Sequence, residues 1–101
     1  MIKAAFFDID GTLVSFNTHK IPDSSLDALK RLREAGVRLF IASGRHRASM
    51  DKIEPYADLF DGYVMVNGGL CTLGDEIVHS TLMSKKDVKL WLEYIKKEPR
   101  I

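Results

Sequence analysis

The chain has 101 residues, of which 15 are Lys or Arg and 14 are Asp or Glu, for a formal net charge of +1. A chain of this length buries roughly two-thirds of its unfolded surface, enough for one modest core and too little for a second complete domain. Balanced charge without a long Lys/Arg run excludes nucleic acid and membrane surfaces as the main partners, so an acidic ligand has to be recognised locally. Cys71 is the only cysteine, which rules out an internal disulfide and a zinc cluster and reads as a small buried hydrophobe in a reducing, cytoplasmic setting. The apolar stretch Ala4-Ala5-Phe6-Phe7 is broken by Asp8, short of a signal segment and far short of the run of about 20 residues that spans a membrane.

Ile2 to Ile9 is an apolar run ending in carboxylates, the pattern of a buried parallel strand whose C-terminal end meets a glycine turn. Pro22-Asp23-Ser24 starts a helix that carries Leu26, Leu29 and Leu32 at helical spacing, and Gly36 sits where a left-handed cap residue belongs, so a helix is predicted over about 23–35. Val37 to Ala42 predicts a second buried strand, closed by Ser43-Gly44 and followed by a polar helical stretch ending near Pro55 and Tyr56. Gly62 to Val66 predicts a third strand, ending at Asn67-Gly68-Gly69. The alternation is the βαβ rhythm of an α/β protein with a parallel sheet. The pattern then changes. Leu70–Leu73 and Ile77–His79 flank Gly74-Asp75-Glu76 as an antiparallel hairpin. Ser84 with Asp87 forms a capping pair for a helix running to about 97, on which Val88, Trp91, Leu92 and Ile95 fall on one face.

Chemistry concentrates in Asp8-Ile9-Asp10-Gly11-Thr12-Leu13, where two carboxylates stand at i, i+2 at the mouth of an apolar strand, a spacing that points both the same way. Like charges there repel unless a cation or a proton lies between them. Mg²⁺ prefers hard oxygen donors, water and substrate phosphate, and this segment offers the Asp8 carboxylate and the Asp10 backbone carbonyl.

Asp8-x-Asp10-Gly11-Thr12-Leu13, preceded by Ala5-Phe6-Phe7, resembles motif I of the haloacid dehalogenase-like (HAD) phosphohydrolases. Ile41-Ala42-Ser43-Gly44-Arg45 resembles motif II, and Val66-Asn67-Gly68-Gly69 resembles the segment leading to the cap in the Cof-type subgroup, which is rich in sugar-phosphate phosphatases. The resemblance runs through essentially all of the chain. It implies a partial Rossmann-like core, a β-hairpin and the first helix of an inserted cap, with residues 1–81 in the core part and 82–101 opening the cap. It makes Asp8 the nucleophile and a metal ligand, and Asp10 the acid and base as well as a metal ligand through its carbonyl. Ser43 and the backbone N–H groups of Ile9, Asp10 and Gly44 would hold the phosphoryl oxygens, Thr12 would orient the loop, and Arg45 and Asn67 would border the same phosphate-binding rim. The activity implied is a Mg²⁺-dependent phosphomonoesterase acting through an aspartyl phosphate on a small phosphorylated metabolite such as a hexose phosphate.

The family pattern continues with a Lys and an acidic pair that these 101 residues do not contain, since Lys85 and Lys86 open a helix after the hairpin. The chain is therefore expected to be an inactive N-terminal fragment, one that either self-associates through its sheet edges and the 84–97 helix or is unstable without the rest of the protein. Plainer readings stand beside these. Ser43-Gly44 can serve as a helix N-cap, Asn67-Gly68-Gly69 as a turn, Arg45-His46-Arg47 as a solvated basic face, and His19 and His79 as ordinary surface. The competing function is a non-catalytic phosphate-binding module or a receiver-like domain that only accepts phosphate on Asp8. The hairpin and capped helix after the third strand speak against the receiver.

Overall fold

In the computed structural model, which describes residues 1–81 and 83–100, the first apolar run forms strand β1 (Ala4–Phe7). Strands β2 (Arg38–Ala42) and β3 (Gly62–Met65) follow in parallel, and β4 (Leu70–Leu73) and β5 (Glu76–Ser80) are added antiparallel. The five strands form one sheet in the order β1-β2-β3-β4-β5. Ala5 lies opposite Leu39 and Phe40 opposite Gly62, so the C-terminal ends of the three parallel strands share one edge.

Helix α1 (Asp23–Glu34) crosses between β1 and β2. Asp23 in its first turn and Arg31 and Arg33 in its last complement the helix dipole, and Gly36, at φ +86°, ends it as its position predicts. Its Leu29 is buried with Leu39 and Ile41 of β2, Ile9, Leu13 and Val14 after β1, and Met50, Ile53 and Phe60 before β3. That core covers one face of the sheet. On the other, Phe6 stacks on Phe40 with ring centroids 4.7 Å apart and stays more than half exposed.

Four expectations are corrected. Strand β1 spans Ala4–Phe7, not Ile2 to Ile9, because the chain turns at Asp8, where its carbonyl accepts from the Leu13 N–H and that of Ile9 from Val14. It is also buried on one face only, its free edge being the outer margin of the sheet. In place of the polar helix before Pro55 there are two short 3₁₀ stretches, Arg47–Ser49 and Glu54–Leu59. Pro55 lacks the N–H that would continue an α-helix, and the buried Met50 and Ile53 anchor the intervening chain to the core. Cys71 is half-buried, with its Sγ 3.7 Å from the Gly68 carbonyl.

The hairpin forms as predicted, with Gly74 at φ +59° in its loop. Helix α2 (Lys85–Lys97) is capped by Ser84, whose Oγ accepts from the Asp87 N–H at 3.1 Å. Every residue of α2 is exposed. The boundary expected at residue 82, and Ile101, lie outside the described residues. Among the described residues no helix is long and apolar enough to cross a membrane.

Candidate active site

Asp8 immediately follows β1, Ser43 follows β2, and Asn67 lies just past β3. Because these strands are parallel and adjacent, their ends bring together residues far apart in the chain, at the edge where open α/β sheets bind ligands. With Ala42, Gly44, Val64 and Gly68 they line an open cleft of about 440 Å³.

The loop after β1 is held by its own backbone. Gly11 donates to the Val14 carbonyl at 2.9 Å and Thr12 to the Ile9 carbonyl at 3.3 Å. Gly11 has φ +77°, and a Cβ there would run into the Phe16 ring, so only glycine closes this turn without strain. Since β1 has already ended, strand alternation does not orient the two carboxylates as expected. Asp8 Oδ1 accepts from the Ile9 N–H at 2.8 Å, which commits an amide expected to face the phosphoryl group. The Ile9 side chain is buried. Asp10 turns to the opposite loop, where Arg45 Nε and Nη2 donate to its two oxygens at 2.8 and 2.9 Å. That hydrogen bonding, reinforced by the Asp10 charge, raises the Arg45 guanidinium above its ordinary value. Arg45, expected at the phosphate, is thus occupied by Asp10.

Ser43 is buried, its N–H donating to the Val64 carbonyl at 2.9 Å and its Oγ accepting from the Arg45 N–H at 3.0 Å. An accepting hydroxyl keeps its own proton to donate elsewhere. This is a tight side-chain turn and not the N-cap of a helix. The cap of the following 3₁₀ stretch is His46, whose Nδ1 accepts from the Ala48 N–H at 3.2 Å. No hydrogen bond among the described residues engages the N–H groups of Asp10 or Gly44, two of the three amides expected to bind phosphate. Asn67 packs over Gly44, where a Cβ would come within 3.0 Å of Asn67 Oδ1.

Val66 and Asn67 both sit at φ +52°. Asn tolerates this left-handed region, but a β-branched Val there is strained, a cost carried in the turn that brings Asn67 to the cleft. No pattern in the sequence announces it. Arg47 turns away from the cleft, pairing with Glu54 at 2.8 Å and lying 4.4 Å over the Tyr63 ring. Neither contact was foreseeable from spacing.

No group of three or more His, Cys, Asp or Glu residues gathers to hold a metal among the described residues. What the cleft offers is one carboxylate, that of Asp8, with no basic side chain paired to it among the described residues. The Asp10 carbonyl is two residues on. A sparse set of hard oxygens with uncompensated negative charge fits Mg²⁺, which keeps waters and takes phosphate oxygens in its remaining positions.

The profile of the haloacid dehalogenase-like hydrolases matches residues 5–100. An HMP-PP phosphatase of Yersinia pestis (strain Pestoides F) is 42% identical over 69 residues, which cover 68% of this chain and 24% of that protein. A HAD subclass IIB sugar phosphatase of known structure superposes with a TM-score of 0.82 at 41% identity, over 94% of this chain and 37% of that one. A HAD phosphatase from Bacteroides thetaiotaomicron gives 0.81 at 36% identity, over 96% and 36%. The chain spans about a quarter of the length of the curated relatives it matches. With the ordered motifs at three parallel strand ends and a family match over nearly its whole length, the chain belongs to the haloacid dehalogenase-like hydrolase family, in its Cof-type branch.

Proposed function

We propose that this chain carries the phosphoryl-accepting part of a Mg²⁺-dependent phosphomonoesterase whose substrate is a small phosphorylated metabolite, in the first place a sugar phosphate. The observation that carries this reading is the convergence of an unpaired Asp8 with the Ser43 hydroxyl and the Gly44 amide in one cleft. The sugar phosphatase of like fold and the HMP-PP phosphatase relatives support a phosphorylated small molecule. Residues 1–81 are then part of the core, and α2 is the first element of a cap.

An Asp8 oxygen attacks phosphorus in line, forming an aspartyl phosphate as the bond to the leaving oxygen breaks. Asp10 gives that oxygen a proton. In the second half, Asp10 takes a proton from the attacking water, the Asp8–phosphorus bond breaks, and inorganic phosphate leaves. The Ser43 hydroxyl and the Asp10 and Gly44 amides hold the phosphoryl oxygens, while Thr12 stiffens the loop that aims Asp8. Mg²⁺ held by the Asp8 carboxylate and the Asp10 carbonyl would supply the positive charge that phosphoryl transfer requires.

The test is a screen of sugar, nucleotide and cofactor phosphates with Mg²⁺, on the protein expressed from its complete gene. Asp8→Asn should lower kcat by several orders of magnitude and leave the fold intact, as loss of a covalent nucleophile does. Undiminished turnover in that variant, or in excess chelator, overturns the reading.

A further inference from the structure

Arg45, expected at the phosphate-binding rim, is bound by other parts of the chain. Besides the two bonds to Asp10, its Nη1 donates to the Ser49 carbonyl at 2.7 Å. Its backbone is held as well, the N–H by Ser43 Oγ at 3.0 Å and the carbonyl by the Val66 N–H at 3.3 Å. One residue therefore ties together the loops after β1, β2 and β3. An arginine with three of its five N–H groups committed has little left for a phosphate. A planar fork, in contrast, fixes both the distance and the plane of the carboxylate it grips.

We propose that Arg45 is a positioning residue, which holds the Asp10 carboxylate in line with the leaving oxygen, and not a ligand of the phosphoryl group. The inference rests on Asp10 being the acid and base of the proposed phosphatase. The fork takes one lone pair on each Asp10 oxygen and leaves the others to carry a proton. That proton passes from Asp10 to the leaving oxygen as the phosphorus–oxygen bond breaks. Misaiming the donor should therefore matter most where the leaving group needs the proton most.

The experiment compares wild type, Arg45→Ala and Arg45→Lys of the protein expressed from its complete gene, with Mg²⁺, on an alkyl phosphate and on p-nitrophenyl phosphate. In Arg45→Ala, kcat on the alkyl phosphate should fall on the order of 10²-fold, the scale of a misplaced catalytic group. KM should stay within about threefold, as for an interaction made only in the transition state. The loss on p-nitrophenyl phosphate, whose leaving group departs without a proton, should be about tenfold smaller. Arg45→Lys should not restore the rate, because a point charge cannot fork. A raised KM with kcat intact would make Arg45 a phosphate ligand, and equal losses on both substrates would make its role merely structural; either outcome overturns the proposal. A second measurement needs no turnover. The Arg45 Nε–H resonance of the wild type should be unmoved by saturating inorganic phosphate with Mg²⁺ and displaced by Asp10→Asn, and the reverse pattern overturns the proposal. Wild-type inactivity, or full activity in Asp8→Asn, would instead fail the phosphatase reading and leave the resonance to decide the clamp.

Discussion

Helices α1 and α2 are alike in length, 12 and 13 residues, and each carries an apolar stripe, acidic residues at its start and basic residues at its end. Their surroundings differ. On α1, Leu29 is 2% exposed against the sheet, whereas on α2 Val88, Trp91, Leu92 and Ile95 are 41–57% exposed. Among the described residues, the aromatic partner of Trp91 is Tyr94 of its own helix, with ring centroids 5.9 Å apart. An amphipathic stripe thus states that a helix needs a partner surface without saying which. The sheet repeats the contrast, since the inner strand β2 is sealed at Leu39 and Ile41 while every residue of the edge strand β5 is exposed.

This difference can be broken by truncation. Leu29→Ala should cost about 2–5 kcal/mol, the range for a buried leucine, while Leu92→Ala on the matching face of α2 should stay within about 0.5 kcal/mol. Denaturant unfolding of the two variants decides this, and equal losses would show that α2 is packed in solution. A smaller effect comes from Tyr63, which is 5% exposed and whose hydroxyl has no partner among the described residues. Removing an unpaired buried hydroxyl in Tyr63→Phe should stabilise the fold by about 1 kcal/mol at neutral pH. Burial also pushes the Tyr63 hydroxyl above its ordinary value, against a smaller downward pull from Arg47. The folded state then keeps a proton that the unfolded chain releases at about pH 10, so stability falls as pH rises beyond that point. Urea midpoints above pH 10 should fall more steeply for wild type than for Tyr63→Phe.

The smallest effect on folding is expected at Trp91. Trp91→Lys should change unfolding free energy by no more than about 0.5 kcal/mol. It should, however, weaken self-association of the 101-residue chain. Burying a side chain of this kind gains on the order of 1.5–3 kcal/mol before ordering costs, and α2 presents four. Denaturant unfolding checks the first half and sedimentation at micromolar concentration the second, where a wild-type chain that stays monomeric would show that the exposed stripe does not drive association.

The elements that the sequence predicted well share a physical trait. Gly36 at the end of α1, the Ser84–Asp87 cap of α2 and Gly74 in the hairpin are decided within three or four residues by backbone sterics and one hydrogen bond. The polar helix expected after Ser43 failed for the opposite reason. Its residues have adequate helical character, but Met50 and Ile53 are drawn into a core built by distant strands, and Pro55 gives the chain leave to break. Tertiary burial outweighed a weak local preference.

The site divides along the same line. The types and order of Asp8, Asp10, Ser43, Gly44 and Asn67 were available from the sequence, because each stands beside a glycine or polar break at the end of an apolar run. Which of them meet was not. The Asp10–Arg45 fork joins residues 35 positions apart, and its existence depends on β1 and β2 lying side by side in parallel. The diversion of the Ile9 amide to Asp8 and the strained backbone at Val66 depend equally on turns whose shape is settled only when the loops close on one another. Composition and periodicity act over one turn or one pleat and so determined the elements and the residues at their ends. The partners of those residues, and the faces left uncovered, were decided by the sheet order, because electrostatic and packing energies depend on distances in space that no local spacing encodes.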